Sequence, residues 1–447
     1  MPFNHSSGPP RLFLLGLDGS PLPLLERLMK AGDLPNLARV FEGGSAVEMN
    51  SSLPDVSAVA WTSINTGKNP GKHGIYGFYD RRPGTDSIEV MTARHVRTRT
   101  IWELASDAGR RAVAVNVPLS FPPQQINGVV ISDFLAPDVK KAVYPPSVLP
   151  KLEAMGYRID TDPRVARQSL DAFIEDFKVT ADRRAEAVEW LMDTEQWGVF
   201  MVVFMETDRL HHFMWRYMEE DDPTYAPMFI DAYRQIDRLA GHIIGKLRED
   251  DELIILSDHG FTSLYKEVYL NVWLEQEGYL SFMPGKDRDL ETIDPHSRAY
   301  SLDPGRVYIN LAGRMPNGSV PESAYDGLVQ ELEGRLRELT DPETGVPLVE
   351  QVYQADEIYS GPQRNRAPDL LLMPPDGYDI KGTFDASTFT GTGPLVGMHK
   401  YDNATLFVRG HTLTTEHASV RDVLPTACRL SGLECPPDVD GRVVVAG

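Results

Sequence analysis

A chain of 447 residues with 42% hydrophobic and 24% charged content can bury a large core and keep an ordinary soluble surface. Its formal net charge of -21 argues against sequence-independent binding to a nucleic-acid polymer or to an anionic membrane, since both need a basic face. The two cysteines, Cys428 and Cys435, make neither a disulfide framework nor a four-thiolate zinc site, and read as reduced packing residues of a cytoplasmic protein.

The first structured run is LFLLGL, ending at residue 17, a continuous apolar stretch of the kind that forms a strand buried on both faces. It is too short for the apolar region of a signal peptide, and no run approaches the ~20 apolar residues of a membrane span. One or two helices follow it, then a second strand at SAVEMN. Residues 51–78, SSLPDVSAVAWTSINTGKNPGKHGIYGF, read as a polar loop leading into a short helix from Ser57. Gly67 and Asn69-Pro70-Gly71 end that helix, because glycine supplies a left-handed cap and proline cannot continue.

Residues 79–98 predict a surface hairpin or loop. RTRTIWELASDAG then has helical spacing, and RRAVAVNVPL and INGVVISDF predict two strands, an alternation that marks an α/β domain with a mainly parallel sheet. From about 138 to 195 the pattern turns helical, its longest stretch open to a break in the middle. VFMVVFMET and ELIILS predict two more buried strands. Residues 262–361 mix short strands, including KEVYLNVWL and RVYINL, with one clear helix, and read as an inserted cap or subdomain. Residues 11–261 and 362–447 form the core in this division, with APDLLLMPP and ATLFVRG as further core strands and a closing helix from SVRDVLPTACRL.

Three aspartates stand at the ends of three apolar strands: Asp18, Asp208 and Asp258. In an open parallel sheet the carboxyl ends of the strands share one edge, so these carboxylates converge although they are far apart in sequence. Asp208 and His212 are four apart and share a helical face, whereas His211 points elsewhere. Asp258 is followed by His259, and a Gly- and Thr-rich loop carries His399. Three Asp and three His form the N/O set preferred by zinc, with manganese or iron as alternatives. Six ligands are too many for one structural zinc and suggest two metal ions with open positions. Ser57 is then either a helix cap or a nucleophile whose alkoxide is stabilised by a cation and by the helix N-terminus. The chain has no G-x-S-x-G elbow and no P-loop.

These residues resemble the alkaline phosphatase superfamily, and within it the type I phosphodiesterase/nucleotide pyrophosphatase branch. GLDG with Asp18, PDVSAVAWTSINTGKNPGKHGI with Ser57, TDRLHHFMW, SDHGF and GMHKYDN stand in the order of that family's motifs across nearly the whole chain. The resemblance implies a three-layer sandwich with a mainly parallel central sheet between helices. It implies that Asp208, His212 and His399 bind one zinc, and that Asp18, Asp258 and His259 bind a second, with Ser57 as exchangeable ligand and nucleophile. The implied activity is hydrolysis of a small phosphate ester or nucleotide through a phospho-enzyme. Relatives often place an asparagine three residues after the nucleophile, where this chain has Ala60; Asn65, Lys68, Arg209 or the Ala58 backbone N–H are the candidates to hold the phosphoryl oxygen instead. That substitution keeps open a monoesterase or a phosphonate- or sulfate-ester hydrolase on the same site. A metal-binding relative without activity is the third reading.

Overall fold

The structure, a computed structural model, describes residues 9–446. Its centre is a nine-stranded sheet. In chain order the strands are β1 (Leu12–Leu17), β2 (Gly44–Asn50), β3 (Ala112–Val115), β4 (Gly128–Ile131), β5 (Val143–Tyr144), β6 (Val199–Phe204), β7 (Glu252–Leu256), β8 (Ala404–Arg409) and β9 (His417–Ser419). Across the sheet they run β9-β2-β8-β7-β1-β6-β3-β4-β5. The five strands β7, β1, β6, β3 and β4 are mutually parallel, while β8 and β5 run against their neighbours.

The most apolar runs occupy the middle of the sheet. β1 and β6 are buried along their whole length, with Leu12 opposite Val199 and Leu17 opposite Phe204. Because side chains alternate along a strand, the two faces of β1 serve two layers. Leu12 and Leu14 pack into one core with Trp61 and Ile64 of helix α1 (Ser57–Thr66). Leu424 and Cys428 of the last helix, Val423–Ser431, join the same core. On the other face Phe13 stacks on Phe200 at 5.0 Å between ring centroids. The fold is therefore the α/β sandwich with a mostly parallel central sheet that the motif order implies.

Two stretches depart from the sequence reading of elements. The helix over Leu170–Thr194, here α2, is a single element of 25 residues, because Phe173, Ile174, Phe177, Ala181 and Val188 form one continuous buried stripe through the suspected break. KEVYLNVWL is half strand and half helix: the strand Gly260–Tyr269 ends inside it, and Leu270–Gln276 is helical. There the Asn271 side chain takes the Ser301 N–H at 2.8 Å and donates to the Gly382 carbonyl at 2.8 Å, which fixes the start of the helix.

The described residues divide into two compact units, one of residues up to 69, 92–261 and from 399 on, the other of residues 70–91 and 262–398. The second unit takes in more of the chain than the 262–361 segment. The APDLLLMPP run forms the strand Leu370–Met373, which pairs with Arg306–Ile309 and Gln351–Gln354 in a separate four-stranded sheet and does not enter the central one. The helix Glu322–Arg337 buries Leu328, Leu332 and Leu336 in that unit's core. Tyr79–Arg81 and Ile88–Val90 form a short antiparallel hairpin within it.

Candidate active site

The three candidate aspartates lie at or just beyond the ends of three parallel strands of the first unit. β1 runs directly into Asp18, β7 into Ser257 and Asp258, and β6 into Met205, after which helix α3 (Glu206–Glu219) carries Asp208 and His212 one turn apart. His399 lies on the short strand Gly397–Lys400, just before β8. Gly19 makes the turn after Asp18 with φ +66°, a conformation glycine adopts without strain, and its N–H donates to Asp258 Oδ1 at 3.2 Å.

Each of the three aspartates has one oxygen held by a protein donor and one left open. Asp18 Oδ2 accepts the indole N–H of Trp61 at 2.7 Å, and Oδ1 has no hydrogen-bond partner. Asp258 Oδ1 takes the Gly19 N–H, and Oδ2 is unpartnered. Asp208 Oδ2 faces the Arg209 guanidinium at 3.3 Å, while Oδ1 has no hydrogen-bond partner. The open oxygens converge on histidine nitrogens. His259 Nε2 is 3.6 Å from Asp18 Oδ1, 3.4 Å from Asp258 Oδ2 and 3.9 Å from Asp208 Oδ1. His212 Nε2 and His399 Nε2 lie 3.3 and 3.4 Å from Asp208 Oδ1 and 3.1 Å from each other.

The histidines are aimed by their far nitrogens. His259 Nδ1 is 3.0 Å from the Gly260 carbonyl and His399 Nδ1 is 2.9 Å from the Asp55 carbonyl. A ring that donates from Nδ1 presents the lone pair of Nε2 to the cluster. Burial, aided by the nearby His399 charge, pushes His259 well below its ordinary pKa, so the ring is neutral. Burial and the charges of Asp258 and Asp208 raise Asp18 well above the usual carboxylate range, and burial brings Asp258 to about 7. Burial also opposes ionisation of Asp208, but the His212 charge, the close approach of the His212 and His399 rings, and Arg209 hold its carboxyl well below the usual range.

Such a set fits divalent cations. Asp208, His212 and His399 bring their ligand atoms within 4.8 Å of one another, and so do Asp18, Asp208 and His259. Asp208 thus belongs to both groups, and Asp258 Oδ2 borders the second. Three unpartnered carboxylate oxygens and imidazole nitrogens are the donor types that zinc, manganese or iron accept. The crowding that raises Asp18 and Asp258 is what a nearby cation would relieve.

Ser57 is the first residue of α1, and Val56 is the N-cap, with no side-chain capping bond. The Ser57 hydroxyl therefore does not cap the helix. It is buried and lies 3.3 Å from His259 Nε2. Ala60, one turn along, is fully buried. The three residues considered for holding a phosphoryl oxygen are placed differently. Arg209 gives Nε and Nη2 to Asp160 Oδ2 at 3.1 and 2.8 Å, and its guanidinium lies over the Phe134 ring at 4.9 Å. Lys68 is paired with Asp438 at 2.7 Å, and Asn65 is buried two turns beyond Ser57. His211 is set apart, with Nε2 2.7 Å from Tyr233 Oη, and burial lowers its pKa to about 3.

Sequence reasoning missed the donors behind the ligands. Trp61 reads as core from its apolar neighbours, yet it holds Asp18. Its place four residues after Ser57, on the same helical face, is the one available signal. Asp160 carries no motif at all.

The family model for type I phosphodiesterase / nucleotide pyrophosphatase matches residues 12–402. The chain belongs to this family. No curated protein sequence shows a significant match to it. Phosphonoacetate hydrolase from Sinorhizobium meliloti 1021, solved with phosphonoformate, superposes with a TM-score of 0.63 at 18% identity, covering 95% of this chain and 96% of that one. Murine ectonucleotide pyrophosphatase / phosphodiesterase 5, solved as an inactive variant in complex with AMP, gives 0.59 at 16% identity over 98% and 100%. The human form of the latter protein gives the same values. These likenesses establish the fold. Family membership supports phosphoester hydrolysis as the general activity. Among the described residues no helix is long and apolar enough to cross a membrane.

Proposed function

We propose that the chain is a metal-dependent hydrolase of small phosphodiesters or nucleotide pyrophosphates, with Ser57 as nucleophile. Two divalent cations, zinc foremost, would be held by Asp208, His212 and His399 and by Asp18, Asp258 and His259, with Ser57 completing the second set. One observation carries the reading: three buried aspartates each keep one oxygen open beside imidazole nitrogens, and the Ser57 hydroxyl lies 3.3 Å from one of those nitrogens, His259 Nε2. When bound, the cations would supply positive charge for the phosphoryl and leaving oxygens and lower the pKa of a hydroxyl or water.

The chain's own residues do the rest. Ser57 stands at the positive end of α1, where first-turn N–H groups favour an anionic phosphoryl group. Its Oγ bonds to phosphorus as the ester oxygen departs on the opposite side, and water then displaces the phosphoryl group from Ser57. The donors behind Asp18, Asp208 and Asp258 keep each carboxylate from rotating during the two steps.

Phosphonate hydrolysis is the second reading. It is favoured by the full-length likeness to phosphonoacetate hydrolase and by Ala60, whose methyl offers no donor where a diesterase amide would stand. Purified protein with zinc, assayed side by side on bis-p-nitrophenyl phosphate, p-nitrophenyl-TMP, p-nitrophenyl phosphate and phosphonoacetate, separates the readings. Ser57→Ala should keep its metal and lose at least about 10³-fold in turnover. An unchanged rate would remove Ser57 from the chemistry.

A further inference from the structure

Helix α1 carries two polar groups one turn apart. Ser57 faces His259, and Trp61 donates to Asp18 Oδ2 at 2.7 Å. Residues four apart share a helical face, so a single face of α1 presents both groups. The strand beneath has a matching arrangement. Gly16 and Asp18 are two apart on β1 and its continuation, and point to the same side. Gly16 sits in the middle of the sheet, opposite Val203 and Leu256. A Cβ built on Gly16 would lie 2.5 Å from Trp61 Cη2. The missing side chain is therefore the seat of the indole, and from that seat the N–H reaches Asp18. Trp61 is fully buried, so the bond is shielded from competing water.

We infer that Trp61 is a positioning residue that couples the nucleophile helix to the metal-side carboxylate of Asp18; this rests on the function proposed above. The indole N–H fixes the rotation of the carboxylate, so that Oδ1 remains aimed at His259 Nε2, 3.6 Å away. Packing of the ring on Gly16 fixes the separation of α1 from β1, and with it the distance between the Ser57 hydroxyl and Asp18. A purely structural tryptophan would contribute apolar contact alone. This one also sets which oxygen of Asp18 is available to a cation. Outer donors of this kind typically govern metal affinity and activity by about 10–100-fold when lost.

The test compares wild type with Trp61→Phe, and with a protein carrying benzothienylalanine at position 61. The latter keeps the ring size and replaces the indole N–H by sulfur, so it separates the hydrogen bond from the packing if the phenylalanine variant folds poorly. Gly16→Ala keeps the indole N–H but displaces the ring that carries it away from Asp18. Cobalt(II) affinity is read by competition titration, cobalt ligand-field absorption reports the geometry, and kcat and KM are measured separately with zinc. The expected result is about 10–100-fold weaker binding at one of two cobalt sites, an altered absorption band, and a fall in kcat with little change in KM. Wild-type affinity and spectrum in the benzothienylalanine protein would overturn the inference while leaving the proposed function standing. A wild type that binds no metal would overturn both.

Discussion

Glu206 and Asp208 lie two residues apart at the start of α3, both buried, and the fold treats them in opposite ways. Glu206 is closed. The Arg184 guanidinium, itself fully buried, gives Nε to both carboxylate oxygens at 2.9 and 3.1 Å and pairs with the carboxylate through Nη2, 2.7 Å from Oε1. Asp208 is half open, with Oδ2 facing Arg209 and Oδ1 lacking a hydrogen-bond donor. Asp237 follows Glu206: Leu37 N–H serves Oδ1 at 2.8 Å, and the Asn36 N–H and side-chain amide serve Oδ2 at 3.1 and 2.8 Å. Asp18 and Asp258 follow Asp208. A buried carboxylate whose lone pairs are all used joins elements together. One that keeps an oxygen free in a desolvated setting is costly to ionise where no cationic neighbour offsets burial, as at Asp18 and Asp258, whereas at Asp208 the neighbouring His212, His399 and Arg209 offset it.

The contrast is open to attack on both sides. The largest effect belongs to the closed pair: Glu206→Gln strands the Arg184 charge in the interior and should cost about 3–5 kcal/mol in urea unfolding, with metal or without it. Next comes Asp133, buried beyond the end of β4, where Leu119 N–H donates to Oδ2 at 2.6 Å and burial still raises the pKa to about 7. Its unfolded value is about 3.9. The folded form therefore binds the proton more tightly, and this group's penalty is absent below about pH 4 and grows until about pH 7. The stability of Asp133→Asn relative to wild type should rise across that window, by up to about 4 kcal/mol, and stay flat outside it. A flat difference from about pH 4 to 8 would show that the backbone donors outweigh burial.

Chelation is the third test. With free zinc at about 100 times its dissociation constant, metal should contribute about 2.7 kcal/mol of stability, lost to a chelator and restored by zinc. The smallest expected effect is the most specific. Asp258→Asn keeps an acceptor for Gly19 N–H and removes an uncompensated charge, so it should stabilise the metal-free protein by on the order of 1 kcal/mol. The same variant should bind metal more weakly and be the less stable protein once zinc is added. The reversal of order between the two conditions is what Glu206→Gln cannot show. Identical ranking with and without zinc would erase the distinction between open and closed carboxylates.

Much of this was legible in the residues. LFLLGL, VFMVVF and ELIIL are almost unbroken apolar runs, which is enough to place them at the centre of a sheet, and the polar residues that follow mark one edge. Asp18, Asp208, Asp258, His212, His259, His399 and Ser57 could be gathered from strand ends, spacing and motif order, and the structure brings them into one cluster. What escaped was whatever depends on a distant partner. Nothing near Arg209 in sequence reveals that Asp160 holds it, 49 residues away. Nothing in GLDG says that Gly16 is empty to admit an indole. The strand propensity of Val272 and Trp273 concealed a helix, because local preference yielded to burial of Leu270 and Leu274 against the second unit's core. APDLLLMPP has the composition of a core strand and is one, but of the other sheet; composition identifies a buried strand without naming its neighbours.

The edge of the sheet that gathers the cluster draws on residues 18, 57, 208, 212, 258, 259 and 399, and this has a consequence for synthesis on the ribosome. A chain emerges N-terminus first at roughly 5–20 residues per second. Asp18 and Ser57 are made first, yet the group of Asp208, His212 and His399 cannot exist until most of the chain has been translated. β8, which separates β7 from β2 in the finished sheet, is made later still. A nascent chain therefore spends on the order of tens of seconds with acidic strand ends and no complete cage. The proposed site of Asp208, His212 and His399 can be filled only after His399 has left the exit tunnel, whereas the ligands proposed for the second cation have all been translated by residue 259.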